Sequence, residues 1–77
     1  MTPYRLNIAP RAQKQLHALA AKPKTMALKI IEALAVNPRP PGAEKITGLT
    51  GLYSLSVRTV RLVYKIEEQE VLLLLVK

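Results

Sequence analysis

Hydrophobic and polar residues alternate along three stretches of this 77-residue chain. Residues 4–8 alternate near the start, which predicts a half-buried β-strand. The same alternation over residues 53–58 and 60–66 predicts two more strands, joined by a tight turn at residues 58–59. A last strand is predicted over residues 71–76, where six apolar residues follow one another.

Two other stretches carry apolar residues at the three- and four-residue spacing of a helix. The first predicted helix covers residues 10–21 and begins at Pro10, whose missing N–H is not needed in a first turn. Pro23 opens the second helix, which ends at residues 37–38. The short break between them predicts a helical hairpin. Residues 39–51 are rich in proline and glycine and are predicted to form a loop.

The predicted order is β-α-α-β-β-β in a single domain over residues 1–77. This order indicates an α+β fold, with the helical hairpin packed on one face of a small antiparallel sheet. The other face is polar in two strands, which place there Ser54, Ser56, Arg58 and Arg61. The last strand is apolar on both faces, so its part facing this polar side needs cover from a partner or from self-association.

Composition excludes several kinds of site. Without cysteine, the chain has neither disulfides nor a thiolate zinc site, and its single histidine, His17, cannot form a metal site alone. We expect no cofactor and no metal. The terminal apolar run is shorter than the roughly 20 residues that span a bilayer, and the first residues lack the apolar core of a signal peptide. We therefore expect a cytoplasmic protein that does not bind membranes.

The net charge of +7 is unevenly distributed. Residues 1–61 contain ten Lys or Arg and two acidic residues, whereas residues 62–77 contain two Lys and three acidic residues. A basic field of this kind attracts polyanions such as nucleic acid, an acidic protein or an anionic membrane. The alternative is that the lysines only keep the protein in solution.

Two stretches of the sequence resemble the RelE/ParE superfamily of bacterial toxins, and its RelE branch in particular. They are YRLNIAPRAQKQL and NPRPPGAEKITGLTGLYSLSVRTVRLVYKI. Two matching positions come before the predicted second strand: a helix start at residues 10–12 and a Pro-Pro-Gly loop at 40–42, followed by Lys45 and Gly48. Two more lie at the strands themselves: Gly-Leu-Tyr at 51–53 and Arg-Leu-Val-Tyr at 61–64. The resemblance covers essentially the whole chain. It implies the toxin of a type II toxin–antitoxin system, which inhibits translation by cutting mRNA on the ribosome without a metal.

In the reaction that the resemblance implies, the 2′-hydroxyl of the RNA attacks the adjacent phosphate. Such chemistry needs a base, cations for the charge on the phosphate, and an acid for the leaving oxygen. Arg61 carries over as the catalytic residue, because a guanidinium fork suits a phosphate. Ser54 and Ser56 stand where the family has basic residues, and the family's basic C-terminal segment would begin where this sequence ends.

Three functions remain open from the sequence. The first is an mRNA interferase, that is, a ribosome-dependent endoribonuclease. The alternative, which the two serines favour, is a catalytically degenerate toxin fold that binds an antitoxin or a target other than RNA, such as gyrase. An unrelated small RNA-binding module is the third, and the family resemblance argues against it.

Seven further cations are candidate RNA-binding residues: Lys45 in the loop, Arg58 in the turn, and Arg11, Lys14, Lys22, Lys24 and Lys29 on the helical hairpin. His17 is expected across the sheet from Arg61, which argues against its acting as the base, and Tyr64 is expected in the core. The expected partners are a cognate antitoxin, whose acidic disordered segment would cover the basic surface, and the ribosome with its mRNA. Without the antitoxin we expect low solubility or self-association.

Overall fold

A computed structural model describes residues 4–48 and 50–77, which form two helices and a five-stranded sheet. The elements are β1 (Arg5–Ile8), α1 (Pro10–Ala18), α2 (Ala21–Val36), β2 (Glu44–Lys45), β3 (Leu52–Val57), β4 (Val60–Glu67) and β5 (Glu70–Val76). The strands lie in the order β1-β5-β4-β3-β2. The predicted α+β class, with both helices on one face of the sheet, is confirmed.

The sheet is mixed rather than purely antiparallel as expected. Strands β2 to β5 pair antiparallel, but β1 pairs parallel with β5. Parallel neighbours need a long crossover, and here the helices and the β2–β4 segment supply it. Strand β5 thus lies inside the sheet, with hydrogen-bonded neighbours on both sides, which explains why the most apolar stretch of the chain belongs there.

The largest differences from the prediction are two helix boundaries and one additional strand. Helix α1 ends at Ala18 instead of residue 21, and α2 begins at Ala21, two residues before Pro23. Proline is tolerated there because the N–H groups of a first helical turn have no partner within the helix. Residues 44–45, predicted as loop, form a short edge strand opposite Tyr53 and Ser54.

The core lies between the helices and the sheet face that they cover. Helix α1 contributes Ala12 and Leu16, and α2 contributes Ala27, Ile31 and Leu34. Strands β3, β4 and β5 supply the remaining buried side chains: Leu55, Val60, Leu62, Tyr64, Ile66, Val71, Leu73 and Val76. Alternate residues of β4 are buried, as the period-2 pattern predicted. Within the described residues, no helix is long and apolar enough to cross a membrane.

Tyr64 ties the loop after α2 to the sheet. Its side chain is fully buried, as the sequence predicted, and its hydroxyl donates a 2.7 Å hydrogen bond to the carbonyl oxygen of Pro38. Its ring stacks on Tyr53 with 6.0 Å between the ring centroids. Arg39 in turn donates from Nε to the Tyr53 hydroxyl over 3.1 Å. Burial raises the pKa of the Tyr64 phenol, because the phenolate would lose its hydration.

We predict that Gly51→Ala destabilises the protein more than Gly48→Ala. Both glycines have positive φ, 77° and 84°, which costs a residue with a Cβ about 1–2 kcal/mol. A Cβ at Gly51 would also lie 2.8 Å from the Ile66 carbonyl oxygen, whereas nothing lies within 4 Å of one at Gly48. Urea unfolding of the two variants measures the difference, and equal losses would contradict this account.

We predict that Tyr64→Phe lowers the free energy of unfolding by about 1–3 kcal/mol at pH 7, because the buried Pro38 carbonyl loses its donor. In the wild type, the folded-state pKa lies above the unfolded value of about 10, so this contribution is fully present below pH 10 and is lost as pH rises further. The variant has no phenol at this position, so its free energy of unfolding does not fall for this reason. Unfolding at pH 7 to 11 should show the two stabilities converging, and a constant gap would count against burial as the cause.

Candidate functional site

The sheet face turned away from the helices, here called the open face, carries the candidate catalytic residue. Residues opposite one another in paired strands share a face, so Ser56 with Arg61 and Ser54 with Val63 lie side by side on it. The next strand adds Leu72 and Leu75. The structure therefore confirms that Arg61 and the two serines lie together, away from the helical layer.

Ser56 orients Arg61. The Arg61 Nε–H donates to the Ser56 hydroxyl over 3.3 Å, across the β3–β4 pair. Because a guanidinium has five N–H donors, the four on its two terminal nitrogens are left for an anion. A serine at this position supplies no charge, but it directs the charge of its neighbour.

A β-bulge in β5 brings a second cation to Arg61. Tyr64 lies opposite Leu73 and Val63 lies opposite Leu75, so Leu74 is an extra residue in β5. Beyond the bulge, Arg61 and Lys77 exchange backbone hydrogen bonds of 2.7 and 2.8 Å. Such a pair shares a face, so Ser56, Arg61 and Lys77 form one row across the open face.

A small depression lies at this row, lined by Arg61, Val63, Leu75 and Lys77. Its volume of about 130 Å³ is below the 300–1,000 Å³ typical of small-molecule pockets. The depression therefore suits a single group such as a phosphate rather than a whole ligand. Its lining combines two cations, Arg61 and Lys77, with two aliphatic side chains, Val63 and Leu75.

The other predicted RNA-binding residues are not brought to this row. Lys45 lies opposite Tyr53, on the side of the sheet that the helices cover. Arg58 is exposed in the β3–β4 turn, with a positive φ of 54°. The five cations of the hairpin lie on α1 and α2, across the sheet from Arg61: Arg11, Lys14, Lys22, Lys24 and Lys29. His17 is exposed on α1, on that same side.

Two residues of the open face were missed by sequence reasoning. Glu44 lies opposite Ser54, so its carboxylate belongs to the open face at the β2 edge. Only the unpredicted strand β2 reveals this, because loop residues have no assigned face. Lys77 was missed because a run of leucines hides the bulge. Among the described residues, no cluster of three or more histidine or acidic side chains could hold a metal ion.

Comparison with known proteins agrees with this fold. The family model of the ParE toxin of type II toxin–antitoxin systems matches residues 6–77. No curated protein matches the sequence. The toxin–antitoxin complex RelBE2 of Mycobacterium tuberculosis contains a similar chain, with 26% identity and a TM-score of 0.83 over 100% of this chain and 92% of that one.

Two further solved structures are similar. The intact RelBE toxin–antitoxin complex of E. coli shares 27% identity, with a TM-score of 0.81 over 95% of this chain and 93% of that one. The archaeal RelE–RelB complex of Pyrococcus horikoshii shares 22% identity, with a TM-score of 0.82 over 99% of this chain and 94% of that one. At this identity the similarity is evidence for the fold alone. The chain thus spans nearly the full length of these relatives.

We predict that Ser56→Ala frees the Arg61 side chain while Ser54→Ala does not. Losing one hydrogen bond worth about 0.5–1.5 kcal/mol should speed hydrogen exchange at Arg61 Nε by roughly 2- to 10-fold. Ser54 is a matched control, because it lies on the same strand and face but opposite Val63. Nitrogen-15 NMR of the arginine side chains measures the exchange, and both variants should keep their stability within about 0.5 kcal/mol. Unchanged exchange in Ser56→Ala would refute the contact.

Proposed function

The chain belongs to the ParE toxin family of type II toxin–antitoxin systems, and from its similarity to the toxins of the RelBE complexes we propose that it is a toxin that cleaves mRNA on the ribosome. The observation that carries the proposal is the position of Arg61, exposed on the open face, with its Nε held by Ser56 and its other N–H groups free to bind phosphate. The proposed reaction takes place in the cytoplasm, where the ribosome is.

Arg61 acts on the phosphate. The 2′-hydroxyl oxygen loses its proton and bonds to phosphorus while the bond to the 5′-oxygen breaks, and the 5′-oxygen leaves with a proton taken from solvent. During this step negative charge builds up on the non-bridging oxygens. A guanidinium stabilises that charge with two parallel N–H donors. Because its hydrogen bond to Ser56 favours one orientation of the guanidinium in advance, less ordering remains for the moment of reaction.

Glu44 is the group we assign to accept the 2′-hydroxyl proton. Glu44 lies opposite Ser54, and Ser54 is the next residue on the open face of β3 after Ser56, which pairs with Arg61. Glu67 also lies on the open face, but on β4 it is three such steps from Arg61. Of the described carboxylates on this face, Glu44 is therefore the nearest to Arg61 when counted along the strands. Two strand spacings, about 10 Å, separate the β2 and β4 backbones. A ribose and its phosphate bound between the two side chains would fill that gap.

A cognate antitoxin is the partner we propose. The similar proteins of M. tuberculosis and E. coli were solved as toxin–antitoxin complexes. The net charge of +7 suits an acidic antitoxin segment, and the half-buried Leu72 and Leu75 offer it apolar contacts on the open face. The same contacts would favour self-association when the antitoxin is absent.

The second candidate is a toxin fold that binds an antitoxin or another target, such as gyrase, without cutting RNA. Ser54 and Ser56 favour it, because two hydroxyls bring no charge to the phosphate. The two candidates differ in one measurable respect, namely whether mRNA bound to a ribosome is cut.

We predict cuts in the A-site codon when the protein is added to mRNA held in a purified ribosome complex, detected by primer extension. Arg61→Ala should lower the cleavage rate by roughly 10²- to 10³-fold, the usual effect of removing one donor to a developing oxyanion. Lys65→Ala is the control, since Lys65 shares the strand and face of Arg61 but pairs with Glu67 at 3.0 Å. Intact mRNA in a complex that demonstrably binds the protein would favour the second candidate.

A further inference from the structure

We propose that Lys77 is a second phosphate ligand, and that Lys77 and Arg61 together clamp a single phosphodiester of the RNA in the depression between β4 and β5. The clamp rests on the proposed function for its ligand, RNA. It adds a residue that neither the motifs of the sequence nor the family resemblance pointed to, and its test does not depend on cleavage.

The backbone fixes the two cations side by side. Arg61 and Lys77 form a hydrogen-bonded antiparallel pair, whose N···O distances are 2.7 and 2.8 Å. Cα atoms in such a pair lie about 5.5 Å apart, and both side chains leave the same face. One phosphate group between the two side chains can therefore contact both of them, next to the Val63–Leu75 pair that also lines the depression.

The bulge decides where Lys77 lies. Val71 and Leu73 are buried against the helices, so an unbroken alternation would turn Leu75 and Lys77 towards the helices and Val76 towards the open face. The extra residue Leu74 reverses this order: Val76 is 2% exposed in the core, and Lys77 lies on the open face. Bulges of this kind commonly re-aim a side chain next to an active site.

Helix α1 anchors the segment that follows the bulge. The Val76 N–H donates to Gln15 Oε1 over 2.8 Å, so the outer edge of β5 is held by α1 where β1 no longer pairs with it. The backbone of Lys77 is thereby held on one side by Arg61 and on the other, through its neighbour, by Gln15. A cation on such a segment loses little backbone freedom on binding.

Among the described residues, Arg61 and Lys77 form no ion pair. Among the residues that the structure describes, the ion pair within 4 Å is Lys65 with Glu67, at the far end of β4. Arg61 keeps four N–H donors, and an ammonium such as that of Lys77 offers three. Two neighbouring cations fit one phosphodiester, which carries one negative charge and two non-bridging oxygens.

The test compares Lys77→Gln with Lys65→Gln in their binding to a short single-stranded RNA whose 2′-hydroxyls are blocked, so that it cannot be cut. Both variants lose one positive charge on the open face, which keeps the overall field equal. Fluorescence anisotropy at several KCl concentrations gives the slope of log affinity against log salt. Lys77→Gln should reduce the slope by about 0.7, the value for one phosphate contact on a single strand, and Lys65→Gln should leave it near the wild-type value.

A double-mutant cycle tests whether both cations hold the same phosphate. If they do, the double variant Arg61→Gln, Lys77→Gln should lose less affinity than the sum of the losses in the two single variants. The reason is that either single substitution already weakens binding of the shared phosphate. Both positions are exposed, so thermal unfolding should show folded proteins throughout.

Three outcomes would overturn the clamp: a wild-type protein that does not bind the RNA, equal slope changes for Lys77→Gln and Lys65→Gln, or strict additivity in the cycle. A reduced slope in Lys77→Gln without any cleavage of ribosome-bound mRNA would uphold the clamp and reject the nuclease. The two proposals can therefore fail separately.

Discussion

The position of β5 between β1 and β4 is the constraint on which the rest of the molecule depends. Its buried face carries Val71, Leu73 and Val76, against which both helices pack, and its two edges hold the neighbouring strands by hydrogen bonds. The leucines on its open face are half-buried, so both faces of this strand are apolar and its sequence does not alternate between apolar and polar residues. The sheet cannot close until β5 has joined β1 to β4, so the pairing of distant segments determines when the whole fold becomes stable.

Within that strand, a single extra residue links stability to the candidate site. The bulge at Leu74 disrupts the ladder locally, yet it lets Val76 fill the core and leaves Lys77 at the surface. Without it, a lysine would face the hydrophobic layer, where an unpaired ammonium is costly. The core therefore requires the same register that sets Lys77 opposite Arg61, so packing alone is enough to keep the row of cations in place.

The sequence predicted those parts of the fold in which polar and apolar residues alternate. Strands β3 and β4 show alternation because their open face carries Ser54, Ser56 and Arg61, so their faces and the position of Arg61 followed directly. The run of leucines in β5 has no such contrast, and its bulge and its parallel pairing with β1 left no local signal. Strand β2 is two residues long and depends on its partner β3, which is why the sequence alone predicts a loop at Glu44.

The arrangement of charge indicates how such a protein would meet a polyanion. The cations of α1 and α2 lie on one side of the sheet and the row of Arg61 and Lys77 lies on the other, in a molecule only 24 Å across its shortest dimension. A single flat surface cannot contact both sides at once. A nucleic-acid cleft that encloses the protein can do so, and so can an acidic chain that wraps around an edge of the sheet. The proposed ribosomal site would be of the first kind and the proposed antitoxin segment of the second, so each would neutralise both basic surfaces and the two would compete for them.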